Sequence, residues 1–172
     1  MPMQSDFLEK TKIFSIEKNP ESFVINEDSV KKFFISILER EEKLKNLTPH
    51  IDDHIWKWFS ITVPGIVENF ETAIFRFKKD LTHSQILEEA EDIGVKKIYS
   101  YLEALSIIRE AILFREVDEK GKGILVYFQI EGNETLYRFY VFYDLGQLRV
   151  GVRKVRFDYK WDAGYGACFD NK

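Results

Sequence analysis

Two histidines four residues apart, His50 and His54, flank Asp52 and Asp53, and their types and spacing could do chemistry. On a helix the i, i+4 spacing puts both imidazoles on one face, where their ring nitrogens can reach one metal ion. Two imidazoles do not complete a coordination sphere, the Glu of the zincin pattern is missing, and the only other histidine is His83. The segment therefore reads as the polar first turn of a helix beside Trp58, with no metal and no cofactor expected. Covalent and acid–base catalysis find as little support. There is no Gly-rich phosphate loop and no nucleophile elbow, and the single cysteine, Cys168, falls close to the C-terminal end. No catalytic residue is assigned, and the chain reads as a non-enzyme.

Charge clusters carry the remaining candidates. Ala90, Ile93, Gly94 and Val95 supply a small residue, an apolar one, a glycine turn and a second apolar residue, and on these the stretch Gln85–Leu105 resembles a helix-turn-helix. The hairpin-like Lys120-Gly-Lys-Gly123 that follows resembles a wing. This resemblance implies a winged-helix-like nucleic-acid-binding regulator using residues 85–123, with Lys96, Lys97, Tyr99, Lys120 and Lys122 at the nucleic acid. Two departures weaken it. Tyr101 and Leu102 arrive about two residues early for the pattern, and Glu88, Glu89, Glu91 and Asp92 would repel phosphate.

Those four carboxylates share the outer face of one helix and form a second candidate, a docking surface for a basic partner protein. A third is the basic stripe Arg149, Arg153, Lys154, Arg156 and Lys160. It reads as the water-facing side of a terminal strand, with anion or RNA binding as its weaker functional reading.

The elements that would position these residues follow from hydrophobic periodicity. Residues 1–26 form an arm or short strands. Residues 27–110 read as about five helices. Val30, Phe33, Phe34, Ile37 and Leu38 mark the first, Thr48-Pro49 opens the second, and Ile66, Val67, Phe70, Ala73, Ile74 and Phe77 fit the third. Thr82 with Gln85 makes a capping box for the fourth, which Gly94 ends, and Ile98 to Ile112 form the fifth. Residues 111–161 change to a period of two. The runs 112–118, 124–131, 135–144 and 148–161 read as a four-stranded antiparallel meander. A parity change along the last run predicts a bulge near Arg153-Lys154. Residues 162–172 read as a tail. The expected fold is α+β, a helical portion followed by a meander, packed as one domain.

Composition bounds the function. The 172 residues carry 25 Lys and Arg against 29 Asp and Glu, a formal net charge of −4, which argues against indiscriminate nucleic-acid binding. The imbalance lies in residues 1–110, net −5, whereas residues 111–172 are net +1. A lone cysteine, no basic-then-apolar leader and no long apolar run predict a soluble cytoplasmic protein with no membrane contact. Aromatic residues make up 15% of the chain and occur on both parities of 135–144, so the second face of the sheet is where a binding surface would hide. By elimination the chain reads as a protein-binding module, of the immunity or inhibitor type, neutralising a basic toxin or nuclease through its acidic helix. The nucleic-acid regulator is the alternative, and a dimer by pairing of an exposed final strand is an open arrangement.

Overall fold

A computed structural model describes residues 4–17, 23–24, 27–40, 48–51, 62–63, 67–113, 122–130, 132–144 and 147–172. Its largest element is an eight-stranded mixed sheet. Seven strands run in the order β1 (Leu8–Ile16), β5 (Phe70–Phe77), β12 (Gly166–Asp170), β8 (Ile124–Gln129), β9 (Tyr137–Asp144), β10 (Gln147–Lys154) and β3 (Thr48–Ile51). The short β7 (Tyr99–Ser100) is the eighth and lies beside the far end of β8. Two small pairs stand apart, β2 (Phe23–Val24) with β4 (Thr62–Val63) and β6 (Leu81–Thr82) with β11 (Lys160–Trp161). Three helices are described: α1 (Glu27–Glu39), α2 (His83–Asp92) and α3 (Tyr101–Leu113).

Alternation along the central strands builds two cores. Ile124, Val126 and Phe128 of β8 face a core with α1 and α3, while Leu125 and Tyr127 face one with α2 and the β6–β11 pair. The fold is α+β with an antiparallel-rich sheet, as expected, but it is not five helices followed by a four-stranded meander.

The departures have physical causes. The third expected helix is strand β5. Ala73, Phe75 and Phe77 enter one core and Ile74 the other, so burial on both faces removes the polar alternation that marks a strand. Its rich content of aromatic and β-branched residues suits a pleated strand. The second expected helix is replaced at its start by β3, which runs parallel to β10, and residues 52–61 lie outside the described ones. The first expected strand begins inside α3, whereas β8, β9 and β10 form the rest of the meander.

The expected C-terminal tail is β12, antiparallel to β5 and parallel to β8 in the middle of the sheet. Small residues make this insertion fit. A Cβ on Gly166, at the start of β12, would fall 3.0 Å from Ile74 Cγ2 and 3.3 Å from the Phe75 carbonyl oxygen of β5. On the other side Gly166 N–H donates to the Gly123 carbonyl at 3.1 Å, which joins β12 to β8. Phe169 of β12 is fully buried and stacks on Tyr127, their ring centroids 5.9 Å apart.

No bulge interrupts β10. Its register with β9 is continuous from Gln147↔Asp144 to Lys154↔Tyr137, and Val155, where the apolar parity changes, donates its N–H to the Leu136 carbonyl and packs against the second core. Nor is the final strand an exposed edge, since β12 has neighbours on both sides and β10 lies between β9 and β3.

Because β12 closes the gap between β5 and β8, its loss should be felt throughout the molecule. Phe169→Ala is expected to lower unfolding free energy by about 3–5 kcal/mol, measured by urea denaturation. A loss below about 1 kcal/mol, the level of an ordinary surface change, would show that the strand is not part of the cooperative core.

Candidate functional site

The unbroken β9–β10 register decides which side chains meet. Phe139, Val141, Leu148, Val150 and Val152 enter the core with α1 and α3, so by alternation Arg138, Tyr140, Phe142, Arg149, Gly151 and Arg153 belong to the opposite face, although Phe142 also packs against that first core. Across that face Arg153 lies opposite Arg138, Gly151 opposite Tyr140, and Arg149 opposite Phe142. Like charges placed directly opposite one another destabilise an antiparallel pair. All six residues are partly exposed.

The chain after β10 adds aromatic rings to this face. It turns at Arg156–Tyr159, closed by Tyr159 N–H donating to the Arg156 carbonyl at 3.0 Å, and then runs as β11 beside β6. Trp161 comes to 4.9 Å from Tyr140, and Tyr165 to 5.2 Å from Trp161, centroid to centroid. Tyr140 also stacks on Phe142 at 4.6 Å. The Arg138 guanidinium sits 5.0 Å from the Trp161 ring centre and 5.8 Å from that of Tyr140, within cation–π range. Lys122 extends the set, its ammonium 4.8 Å from the Tyr165 ring centre and 3.9 Å from the Asp162 carboxylate. Burial weakens the hold of Arg138 on its proton, and Arg153 weakens it further. No hydrogen bond or ion pair joins the Arg138 guanidinium to a described residue.

Beneath this layer lies His83, the first residue of α2, buried and hydrogen-bonded through both ring nitrogens. Trp161 Nε1–H donates to Nε2 at 2.9 Å, which makes Nε2 the acceptor and leaves the proton on Nδ1. Nδ1–H is then 2.6 Å from the Tyr127 hydroxyl oxygen and donates to it. Burial, and then the charge of Arg138, push the His83 pKa from 6.5 down to about 3. A neutral, two-bonded imidazole holds Trp161, and through it the aromatic layer, against the sheet. Main-chain bonds reinforce this, His83 N–H donating to the Tyr159 carbonyl and Ser84 N–H to that of Phe157, each at 3.1 Å.

The residues singled out from sequence are distributed differently. Glu88, Glu89, Glu91 and Asp92 all lie on α2, whose capping box is present as expected: Gln85 N–H donates to Thr82 Oγ1 at 3.2 Å and Thr82 N–H to Gln85 Oε1 at 2.9 Å. Their carboxylates are not equivalent. Glu88 accepts from the Ser84 hydroxyl at 3.2 Å, Glu89 accepts from that of Ser5, Glu91 pairs with Lys96 at 3.2 Å, and Asp92 is exposed.

The helix-turn-helix geometry is not formed. α2 packs in one core and α3 in the other, on opposite sides of the sheet, and α3 buries nine residues, including Tyr101, Leu102 and Leu105. Tyr99 is buried in β7, its hydroxyl 2.7 Å from that of Thr72. Lys97 lies 6.0 Å from the Tyr99 ring centre, and Lys120 falls outside the described residues.

The basic stripe divides. Arg149 and Arg153 join Arg138 on the sheet, Lys154 is exposed at the end of β10, Arg156 pairs with Asp158 at 3.9 Å in the turn, and Lys160 is exposed on β11. His50 lies on β3 and His54 outside the described residues, among which no three His, Cys, Asp or Glu side chains could hold a metal ion. Cys168 is buried in β12, and burial pushes its thiol up to about 12, which disfavours the reactive thiolate.

Sequence reasoning missed Arg138. Counting back from the β9–β10 turn places it across from Arg153 and on the parity of Tyr140 and Phe142, a signal present in the sequence. It also missed a second capping box, Ser100 with Glu103, which opens α3. No helix among the described residues is long and apolar enough to cross a membrane. No protein-family model, curated protein or solved structure matches the chain.

The His83 cluster makes a pH-dependent stability signature. The unfolded chain takes up a proton near pH 6.5 that the folded chain refuses down to about pH 3, so this contribution is full above 6.5 and is lost progressively between 6.5 and 3. By pH 5 it removes about 2 kcal/mol. Denaturation at pH 7.5 and 5 should show this slope, and His83→Gln should flatten it. The same slope in both proteins would mean that His83 is not held neutral.

Proposed function

We propose that the protein is a non-enzymatic binding module whose working surface is the arginine–aromatic face of β9 and β10, and that its partner is anionic. The observation that carries this reading is Arg138, half-buried against Trp161 and Tyr140 with Arg153 as its cross-strand neighbour. A guanidinium withdrawn from water is costly unless a counter-charge meets it. Among the described residues no carboxylate does so. Its five N–H donors form a rigid fork that suits carboxylate or phosphate oxygens. Arg149 and Arg153 on the same face add positive potential, which steers an anion toward it despite the net charge of −4.

A basic partner on the acidic side of α2, as an inhibitor of a basic enzyme would require, has less behind it. Three of the four carboxylates are engaged within the molecule, Glu88 by Ser84, Glu89 by Ser5 and Glu91 by Lys96. The binding class therefore stays as the composition suggested, while the working surface and the sign of the partner's charge change.

Arg138→Met separates the alternatives. With no partner to strand, removing the charge should leave stability within about 1 kcal/mol of the parent or raise it, whereas breaking a paired buried charge costs about 3–5 kcal/mol. Millimolar tripolyphosphate should raise the Tm of the parent above a sodium chloride control of equal ionic strength and leave the variant unchanged. A large loss of stability in the variant, or an equal rise in both proteins, would contradict the proposal.

A further inference from the structure

Resting on the anionic-partner reading above, we infer that the occupant of the arginine–aromatic face is single-stranded nucleic acid, with bases on the aromatic rings and phosphates on the arginines. Two observations favour this over an acidic protein segment. The first is the interleaving itself. Arg138, Tyr140 and Phe142 alternate along β9, and Arg149 and Arg153 flank Gly151 on β10, so planar faces and positive charges sit side by side. An acidic peptide would satisfy the arginines and offer nothing flat to the rings, whereas every nucleotide carries both a π-face and a phosphate.

The second observation lies just beyond the sheet. Phe157 and Tyr159, in the turn that follows β10, are 53% and 48% exposed, and Tyr159 lies 5.1 Å from Trp161. Two large aromatic side chains are thus held out in water at the border of a charged face. The turn is not loose, because the Phe157 and Tyr159 carbonyls accept from the N–H groups of Ser84 and His83. Rigid, exposed rings next to arginines are what base stacking needs. Duplex DNA is a poor fit, since its bases are already stacked and no described helix offers a free face beside the arginines.

The test is fluorescence anisotropy with a labelled uridine dodecamer. The expected dissociation constant is about 10–100 μM at low salt, and log K should fall with log salt at a slope of about −2, as for roughly three phosphate contacts on a single strand. Tyr159→Ala, a change at an exposed ring, should weaken binding about tenfold. Arg153→Gln should weaken it and flatten the slope by about 0.7. Both variants alter partly or largely exposed side chains, and circular dichroism checks that they remain folded. A polyglutamate of equal charge should bind at least tenfold more weakly, and so should the duplex form of the oligonucleotide. Equal binding of polyglutamate, or no effect of Tyr159→Ala in a folded protein, overturns the inference. If the dodecamer does not bind but tripolyphosphate still stabilises the parent through Arg138, the nucleic-acid assignment fails and the anionic-partner reading stands. If neither interacts, both fail.

Discussion

The insertion of β12 between β5 and β8 is the constraint on which the rest of the structure depends. It is the last strand in the chain, yet it lies near the middle of the sheet, antiparallel to one neighbour and parallel to the other. To reach that position from the end of β10, the chain must cross the second face of the sheet. The crossing passes through β11 and lays Trp161 and Tyr165 against Tyr140. The arginine–aromatic face is thus a by-product of topology, the surface over which the chain travels to close its own sheet. β12 also shares one side of β8 with β7, so both stretches of that side are paired.

The two faces of the sheet play different parts. One is covered by α1 and α3 with apolar residues throughout, which is where the fold gains most of its burial. The other is divided. Over β5, β12 and β8 it is closed by α2 and the β6–β11 pair, and over β9 and β10 it ends in partly exposed arginines and tyrosines. His83 stands at the boundary, held neutral between Tyr127 and Trp161. A protonated imidazole there would add a second positive charge beside Arg138, so the neutral state of the histidine and the charge of the arginine are linked. Arg138 and Arg153 lie directly opposite one another across the pair, an arrangement of like charges that works against stability.

Much of the local structure was legible in the sequence. The Thr82–Gln85 capping box and the turn at Gly94, with its φ of +76°, bound α2 as read. The parity of Tyr137, Phe139 and Tyr143 against Tyr140 held along β9, although Phe142, which stacks on Tyr140, also packs against the core of the first three. What failed were segments whose environment is decided by distant partners. β5 is apolar on both faces and therefore imitates a helix, while Gly166-Ala-Cys-Phe169 is too short and too rich in small residues to declare itself a strand. Its place in the sheet comes from neighbours some 40 and 90 positions away in the chain, Ile124 and Ile74 among them. Of the site, Arg149 and Arg153 were named from the chain alone. Arg138 was not, because its meaning comes from the residue across the strand.

The most direct measurement is a chemical-shift titration that follows the arginine Nε–H and tryptophan Nε1–H signals as the single-stranded oligonucleotide is added. The expected result is saturable movement of Arg138, Arg149, Arg153 and Trp161, with the amides of Glu88 and Asp92 on α2 unmoved. Movement confined to α2, or spread evenly over the surface, would contradict the assignment of β9 and β10 as the working face.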